Sequence, residues 1–587
     1  MDSPATIDDV FRDAARTSRG VRFLVSEEDA PFFPYTALFE RARGFAGALR
    51  RAGLEPGDRV GIVLPTGPAF YDAFLGAILG GLVPVPLYPP VRLGRLADYH
   101  QRTVGMLTGC GARMLLTDRR CRRLLGETVR HAHLELGCHL VEAMTPEPGF
   151  APVPATPADT ALLQYSSGTT GEPRPVALTH AQVMANINGM REAVLKAFPE
   201  GPSLQHAGAA WLPLYHDMGL IGGLLWSLAF QVDIALIPPE RFLARPAVWL
   251  RAISRYRATI SGGPNFAFSL CCSRVTDDDL AGLDLSCWRV ALNGAEPIAP
   301  DVLEAFTRKF APYGLRKECV TPVYGLAEAT VAVTFSHLER AFRVETFDRQ
   351  RLLVDGVAER AAHGISLVAL GHPLPGTRVQ IRGDDGRLVP EGVVGAIEVS
   401  GPSLATACCP PRDDGDPAAA PGWLDTGDRG FLFDTELFVF GRARDIIILN
   451  GRNHAPQEFE GVVARVPGVR AGCCVAIGVV LDEVSGGEEL VLLVEYARDT
   501  APEPEALARE IAREVVAATG VVPGRVTLLA PGTLPRTSSG KLRRRQAARD
   551  YLAETLHPPV SMTPARLVFE LARSMFHLRA ANRERSA

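Results

Sequence analysis

Gln164-Tyr165-Ser166-Ser167-Gly168-Thr169-Thr170-Gly171-Glu172-Pro173-Arg174 is the stretch of this chain that most restricts its fold. Four hydroxyl side chains and two glycines fall within residues 166–171, directly after an apolar run over residues 161–163. A loop of this composition can turn several backbone N–H groups and hydroxyls toward one anion, as polyphosphate binding requires. The spacing of a P-loop is absent. Taken alone, the stretch is compatible with a phosphate-binding loop and with an ordinary surface loop. The other segments of the chain are needed to choose between these two interpretations.

Size and charge indicate a globular protein of several structural units. The 587 residues are too many for one hydrophobic core, which predicts about two to four units. Lys and Arg number 62 against 66 Asp and Glu, and the net charge of −4 gives no basic surplus for nucleic acid.

Neither a signal peptide nor a transmembrane helix is predicted from the sequence. The N-terminus lacks the basic and apolar regions of a signal peptide, and no apolar run reaches the roughly 18 residues of a transmembrane helix. The eleven cysteines include no C-x-x-C pair, so reduced and mostly buried thiols are expected. These features predict a cytoplasmic protein.

Strand-like and helix-like segments alternate through the first two thirds of the chain. A helix is predicted over residues 35–49, a buried strand over 59–65, a helix over 69–82 and a strand over 83–87. Further strands are predicted over residues 113–117, 235–238 and 290–293. This alternation predicts an α/β fold with mainly parallel sheets.

The pattern changes twice toward the C-terminus. From about residue 371, short strand-like runs separated by turn residues predict a small β unit. After residue 443, predicted strands over 475–480 and 490–496 and a helix over 502–519 form a compact α+β domain. We therefore predict an N-terminal core of residues 1–443, with a β-rich subdomain at about 371–443, and a C-terminal lid domain of residues 444–555.

Residues 556–587 are predicted to form a helical tail. One helical face of this tail carries Leu567, Val568, Leu571, Met575 and Leu578. The arginines lie largely elsewhere, at positions 566, 573, 579, 583 and 585. Such a helix can pack back on the protein or dock on a partner or a membrane surface.

Five further segments have compositions that a hydrophobic core does not require. They are residues 211–219, with a His and an Asp between apolar stretches, 292–297, 323–330, 425–428 and 534–541. The segment 323–330 offers an aromatic ring and a carboxylate four residues later, and 534–541 ends a polar loop on a lysine. Each segment alone is compatible with a purely structural role.

Together and in this order, the six segments resemble the acyl-adenylate-forming superfamily. The resemblance extends over roughly residues 10–550 and is closest to the fatty acyl-AMP ligases. The segments whose sequences are similar to those of this subgroup are residues 162–168, 214–222, 263–268 (Gly-Pro-Asn-Phe-Ala-Phe), 324–330 and 450–458. An extended segment between residues 335 and 371 also resembles the ligases, in which an insertion is thought to restrain the C-terminal domain and disfavour coenzyme A.

The resemblance implies a site for ATP. The opening loop would hold the β- and γ-phosphates through Ser166, Ser167, Gly168, Thr169, Thr170 and Gly171. Adenine would lie beside Gly294, Ala295, Glu296, Tyr324 and Gly325, with the Tyr324 ring stacked on it.

The resemblance also implies the remaining roles in the reaction. Asp428 would accept hydrogen bonds from the ribose, and Glu328 would carry Mg²⁺. The catalytic residues would be Arg442, near the ribose or α-phosphate, and Lys541, which bridges the carboxylate and the α-phosphate. The hinge between the domains would be Arg444 and Asp445. The acyl pocket would be lined by Trp211, His216, Asn265, Phe266 and Phe268, for which ordinary core packing is the alternative.

The implied function is the ATP-dependent activation of a fatty acid to an acyl-adenylate with release of pyrophosphate. The acyl group would then pass to the phosphopantetheine thiol of a separate holo-acyl carrier protein, feeding lipid, polyketide or nonribosomal peptide biosynthesis. One alternative is an acyl-CoA synthetase, and another is a non-catalytic acyl- or nucleotide-binding scaffold.

The chain departs from the usual pattern at Arg174-Pro175, where relatives usually have Lys-Gly, and at Arg444, where Lys is common.

Overall fold

The computed structural model describes most of the chain. The described ranges are residues 4–26, 29–91, 93–165, 173–198, 206–405, 407–408, 422–449, 452–480, 488–497, 503–537, 540–560 and 562–586. The loop over residues 166–171, on which the phosphate-binding prediction rests, lies outside them.

The largest sheet has nine strands, parallel in its centre and antiparallel at both edges. In spatial order the strands are His372–Pro373, Thr334–Phe335, Val320–Tyr324, Val290–Asn293, Ile260–Gly263, Ala207–Ala210, Asp233–Leu236, Gly20–Phe23 and Phe32–Pro34. Its two faces are covered by separate hydrophobic cores: Val290 and Leu292 pack on one side, whereas Ala291 packs on the other. Parallel sheets need such cover on both faces.

A second sheet and a hairpin complete the N-terminal part. The second sheet is fully parallel, with the strands Val83–Leu87, Arg59–Val63, Met114–Thr117 and Gly137–Leu140 in that order. The hairpin Thr160–Tyr165 and Pro175–Thr179 flanks the phosphate-loop residues and pairs on its other side with Ala407–Cys408. Pro175 is the first residue of its strand, a position at which the missing N–H is tolerated.

A small antiparallel sheet follows the large one. Its strands are Arg378–Arg382, Gly395–Ser400, Leu424–Phe433 and Glu436–Arg442. Beside it, the inserted hairpin Val344–Phe347 and Ile365–Val368 carries the short helix Arg349–Leu353. Phe347 packs its ring against Phe431, Phe433 and Phe438 of the sheet.

The last strands form a separate α+β unit. Two strands, Ile447–Leu449 and Arg452–His454, precede a three-stranded sheet of Val469–Val479, Glu489–Tyr496 and Arg525–Leu529. Leu507, Ile511 and Val515 of the helix Pro504–Thr519 pack on this sheet.

Helices surround all the sheets. The α-helices of the described ranges are Ile7–Ala14, Tyr35–Arg51, Pro68–Leu79, Leu96–Gly109, Arg119–Arg122, Gly126–His131, His180–Ala197, Asp217–Gly219, Trp226–Phe230, Pro239–Ala244, Ala247–Arg255, Asn265–Arg274, Pro300–Phe310, Arg349–Leu353, Pro456–Val463, Pro504–Thr519, Arg544–Leu552 and Pro564–Ser586. A π-helix spans Leu220–Leu225, and 3-10 turns span Leu93–Arg95, Val141–Ala143, Asp277–Leu280, Ala311–Tyr313, Lys317–Cys319, Ala327–Ala329 and Ala443–Asp445. None of the helices in the described part of the chain has the length and apolar composition that crossing a membrane requires.

The α/β class predicted from the sequence is confirmed. The strands Val83–Leu87 and Val290–Asn293 have the predicted bounds, and Arg378–Arg382 and Gly395–Ser400 are strands of the region predicted as a small β unit. The strand Val469–Val479 begins six residues earlier than predicted, because a bulge between Val469 and Cys474 continues the pairing.

The tail helix Pro564–Ser586 packs on the helix Gly126–His131 with a face that only partly overlaps the predicted apolar face: Leu578 of that face packs on the protein. Ser574 and Ala581 are buried, and Ser574 Oγ accepts a 2.8 Å hydrogen bond from the Gly126 N–H. Val568 and Met575, which the sequence pattern placed on the apolar face of this helix, are 65% and 50% exposed. The helical pattern of the sequence could not predict that the small Ser574 marks the close contact.

Candidate functional site

The predicted segments meet because they follow neighbouring parallel strands. Ile260–Gly263, Val290–Asn293 and Val320–Tyr324 lie side by side in the large sheet. Residues 265–268, 294–296 and 325–328 come directly after these three strands. Ligands of open α/β sheets bind at the carboxyl ends of the strands, so the geometry of the sheet groups these residues at a candidate site.

Two glycines allow close packing at this edge. A Cβ on Gly294 would lie 2.6 Å from Val323 Cγ2, and a Cβ on Gly325 would overlap the Val331 carbonyl oxygen. Ala295 has a φ of 68°, a conformation that costs free energy for a residue other than glycine. The backbone at the predicted adenine position is therefore tightly constrained.

Tyr324, Asp428 and Arg442 form one connected group between the large sheet and the small antiparallel sheet. The Tyr324 hydroxyl donates a 2.7 Å hydrogen bond to Asp428 Oδ2, and Arg442 Nε lies 3.2 Å from Asp428 Oδ1. Burial raises the pKa of the Asp428 carboxyl, and Arg442 and Tyr324 oppose that shift. The structure thus brings together three residues that are distant in the sequence, since Tyr324 and Arg442 are separated by 118 positions.

Lys541 extends from the C-terminal unit toward this edge. Burial lowers the pKa of its ammonium group, and the carboxylates of Asp217 and Glu296 offset part of the shift. Its backbone is held by Thr537, whose N–H donates to the Lys541 carbonyl at 2.7 Å and whose Oγ1 accepts from the Lys541 N–H at 3.0 Å. A partly desolvated cation among carboxylates is suited to an anionic substrate.

Glu296 also has a structural contact that the sequence did not suggest. Its Oε1 accepts a 2.5 Å hydrogen bond from the Phe266 N–H, in the first turn of the helix Asn265–Arg274. Burial raises the pKa of Glu296, while the Phe266 N–H and Lys541 oppose the shift. A carboxylate at a helix N-terminus is stabilised by the unpaired N–H groups there.

The predicted acyl-pocket residues lie at the edge of an aromatic cluster. The Trp211 ring stacks on Phe242 at 3.8 Å between centroids and contacts Phe266 edge-on at 5.9 Å. Phe268 is fully buried between Trp249 and Phe306, so core packing accounts for its contacts.

His216 and Asp217 form a close pair beside this cluster. His216 Nδ1 lies 2.6 Å from Asp217 Oδ1. Burial alone would raise the pKa of Asp217, but His216 and Lys541 lower it overall. The sequence analysis noted this aspartate within the segment 211–219 without giving it a role, and its charge interacts with both His216 and Lys541.

Asn293 is a residue that the sequence analysis missed. It is fully buried at the end of its strand, and neither amide atom has a hydrogen-bond partner among the described residues. Trp211 Nε1 and Asn265 Oδ1 are likewise unpartnered there. Alternation along the strand puts Asn293 on the same face as Ala291, which packs in the aromatic cluster. The sequence signal that could have identified Asn293 is that a polar residue follows the apolar run 290–292.

Glu328 offers a half-buried carboxylate on the 3-10 turn Ala327–Ala329. No cluster of three or more His, Cys, Asp or Glu side chains suited to a metal occurs among the described residues. A single carboxylate oxygen fits Mg²⁺, which is commonly held by one or two carboxylates together with substrate phosphates.

The predicted hinge is anchored on its C-terminal side. Asp445 is buried in the turn Ala443–Asp445 and accepts a 2.9 Å hydrogen bond from Arg544 Nη1. Arg544 also pairs with Glu460 at 2.8 Å. Asp445 is therefore fixed to the C-terminal unit.

The insertion predicted between residues 335 and 371 touches the C-terminal unit directly. Arg349 forms an ion pair with Glu458 and donates a 3.2 Å hydrogen bond to the Ala518 carbonyl oxygen. Ala455 and Ile446 pack in the same hydrophobic cluster as Leu352 and Leu353 of the inserted helix. Polar and apolar contacts both hold the two parts together here.

A large α/β part with a nucleotide-type edge, joined to a small α+β part that brings a lysine to it, is the architecture of adenylate-forming enzymes. A solved structure from work on the fatty acyl-adenylate ligases of E. coli and L. pneumophila superposes with a TM-score of 0.85 at 34% identity, covering 94% of this chain and 98% of that one. A family model described as AMP-binding enzyme matches residues 11–407. The chain belongs to the AMP-binding enzyme family.

Several relatives match most of the chain. A protein of Caulobacter vibrioides with the provisional description acyl-CoA synthetase is 36% identical over 529 residues, 89% of this chain and 91% of the relative. The long-chain-fatty-acid–AMP ligase FadD23 of Mycobacterium tuberculosis is 32% identical over 562 residues, 90% of this chain and 92% of the relative. The medium-chain-fatty-acid–acyl-carrier-protein ligase JamA of Moorena producens is 32% identical over 558 residues, 90% and 91% of the two chains.

Proposed function

We propose that this chain is a fatty acyl-AMP ligase, which forms an acyl-adenylate from a fatty acid and ATP and passes the acyl group to a holo-acyl carrier protein. The observation that carries the proposal is the meeting of Lys541 with Asp217, Glu296 and the Tyr324–Asp428–Arg442 group at one sheet edge. The relatives described as fatty-acid–AMP and carrier-protein ligases support it.

In the proposed site, ATP lies across the carboxyl ends of the three central strands. Ser166, Ser167, Gly168, Thr169, Thr170 and Gly171 would hold its phosphates at the end of the hairpin. Adenine would lie between the Gly294-Ala295-Glu296 backbone and the Tyr324 ring, against Gly325. The free lone pairs of Asp428 would accept from the ribose hydroxyls, since Tyr324 and Arg442 each occupy one oxygen.

The first step is a displacement at phosphorus that needs no protein nucleophile. A carboxylate oxygen of the fatty acid forms a bond to the α-phosphorus. The bond between the α-phosphorus and the oxygen that bridges to the β-phosphate breaks, and pyrophosphate leaves. Lys541 and Arg442 would stabilise the negative charge that shifts during this exchange, so catalysis rests on positioning and electrostatics. Glu328 would hold a Mg²⁺ ion, which neutralises phosphate charge when bound.

The acyl chain would extend into the aromatic cluster. Trp211 and Phe266 lie at its edge, Asn265 and His216 would lie beside them, and Phe268 would support the pocket indirectly through its contact with Trp249. The unpartnered Asn293 amide and Trp211 N–H would hydrogen-bond the polar end of the substrate, because leaving them unpaired in a dry pocket is costly.

In the second step, the thiol of a carrier protein supplied in trans would attack the acyl carbonyl and displace AMP. The contacts of Arg349 with Glu458 and Ala518 support a carrier protein over coenzyme A, since they restrain the C-terminal domain. The Caulobacter vibrioides relative favours the alternative of an acyl-CoA synthetase.

The proposed domains are residues 1–443, with a β-rich subdomain at about 371–443, and 444–555, followed by the tail 556–587. The C-terminal domain would rotate at Arg444 and Asp445 between the two steps. We place the reaction in the cytoplasm, where both ATP and carrier proteins are present.

Two assays test the function. Fatty-acid-dependent exchange of labelled pyrophosphate into ATP is expected, and its absence across chain lengths would leave only the binding-scaffold alternative. Incubation with ATP, a fatty acid and either coenzyme A or holo-carrier protein should yield acyl-carrier protein. Rapid stoichiometric formation of acyl-CoA would instead identify a synthetase.

A further inference from the structure

The tail helix Pro564–Ser586 exposes an apolar face that no described residue covers. Val568, Phe569, Met575 and Phe576 are between 50% and 67% exposed. They fall on the side of the helix opposite Ser574 and Ala581, which are buried. Two phenyl rings, a methionine and a valine on adjacent turns are unusual on the surface of a globular protein and mark an interaction surface.

The helix cannot turn this face inward because its other side is anchored. Gly126 N–H donates to Ser574 Oγ at 2.8 Å, Arg573 pairs with Glu127 at 2.8 Å, and Leu578 packs in the hydrophobic cluster below. A Cβ on Gly126 would overlap the Ser574 carbonyl, so the two helices are in close contact. The exposed face is thus held pointing away from the protein.

Among the described side chains of the helix, the charges next to this face are positive. Arg579 and Arg583 continue it by one and two turns toward the C-terminus, and Arg566 lies on its flank; all three are exposed. The acidic residue of the described side chains in this helix, Glu570, lies on the anchored side, 3.9 Å from Arg573. Apolar side chains bordered by guanidinium groups match the boundary between acyl chains and anionic head groups.

A second copy of this chain fits the face less well. Stable dimers bury about 800 Å² and about 20 residues per partner. The apolar part of this face spans residues 568–576, roughly 12 Å of helix at 1.5 Å per residue. Symmetric pairing would also bring like-charged arginines together.

We propose that the tail helix docks this protein on an anionic lipid surface, with Phe569 and Phe576 inserted between the lipids and Arg579 and Arg583 bound to phosphate groups. A fatty acid partitions into lipid, so docking would hold the proposed enzyme where its substrate is concentrated. The docking itself does not depend on the proposed activity.

The test is co-sedimentation of the full chain with vesicles of phosphatidylcholine alone and of phosphatidylcholine mixed with phosphatidylglycerol. Binding is expected to the mixed vesicles and to weaken with salt. The double variant Phe569→Ser with Phe576→Ser should bind at least about tenfold more weakly, since it removes most of the inserted apolar area. Arg579→Gln with Arg583→Gln should lose the preference for phosphatidylglycerol.

The matched control is Val522→Ser, which removes a side chain that is 74% exposed on the C-terminal domain. Control and test variants should keep the wild-type melting temperature and rate of pyrophosphate exchange. Equal vesicle binding by wild type and the Phe569/Phe576 variant would overturn the proposal, as would no binding by wild type. Light scattering that showed a dimer abolished by the variant, without vesicle binding, would assign the face to a second copy instead.

Discussion

Asn293 is a residue at which function and stability can be separated. Its amide is buried without a protein partner, so Asn293→Leu should leave the melting temperature unchanged or raise it. If the amide binds substrate, kcat/KM for adenylate formation should fall by about tenfold to a hundredfold, the value of one hydrogen bond to a charged group. Pyrophosphate exchange and thermal unfolding measure the two effects.

Asn186 provides the matched control for that substitution. It is equally buried, but its amide donates to Ala332 and Ala329 and accepts from the Ala332 N–H at 3.2 Å. Asn186→Leu should therefore lower the melting temperature. An Asn293 variant that unfolds like the Asn186 variant, or that keeps full activity, would show that Asn293 is structural.

Lys541 should set the alkaline limit of adenylate formation. Its pKa is lowered below the usual 10.5 by burial, so the ammonium loses its proton at a lower pH than an exposed lysine does. Activity that requires the charged form is present below that pKa and declines as the pH rises through it. Pyrophosphate exchange measured against pH should show this limb, and Lys541→Arg should move it upward. A limb that stays in place in the arginine variant would exclude Lys541 as its cause.

The inserted helix Arg349–Leu353 should control the choice of acceptor. Arg349→Ala removes the ion pair with Glu458 and the contact with the Ala518 carbonyl. Adenylate formation should be unchanged, while the ratio of acyl-CoA to acyl-carrier protein should rise by about twofold to fivefold, as expected for a partly exposed ion pair. The products are separated by chromatography.

Arg351→Ala is the control on the same helix. Arg351 pairs with Asp355 and Glu359, both within the insertion, so its loss should not change the acceptor ratio. Equal ratios in the two variants would mean that the insertion does not act through its contact with the C-terminal domain.

At the scale of the whole molecule, the two half-reactions should depend differently on Lys541. The lysine reaches the site from the C-terminal domain, which would turn away for transfer. Lys541→Ala should reduce adenylate formation by on the order of 10²–10³, the usual cost of a transition-state contact. Transfer from preformed acyl-adenylate to holo-carrier protein should be largely spared. Equal losses in both assays would contradict the two-state arrangement.

Local patterns predicted the strands and helices well, because buried runs such as residues 83–87 and 290–293 are bounded by turn residues. Long-range contacts could not be predicted in this way. The Tyr324–Asp428–Arg442 group depends on how two sheets pack, and the pairing of Arg349 with Glu458 depends on how two helices pack. The motif roles came from a family resemblance, and Asn293 escaped notice because a single amide in a strand carries no periodic signal.

The tail gives the C-terminal domain a second attachment to the N-terminal part. The proposed domain follows the proposed hinge, and beyond its last helix, Arg544–Leu552, the linker of eleven residues 553–563 leads to a helix that packs on Gly126. Arg95 also contacts the domain and this linker. It donates hydrogen bonds to the carbonyl oxygens of Thr533 at 2.9 Å and His557 at 3.3 Å. A fully extended linker of eleven residues spans about 37 Å, so the linker limits how far the domain can move from the helix Gly126–His131. The proposed rotation would have to break the Arg95 contacts, and the length of the linker would limit the orientations that the domain can offer to a carrier protein.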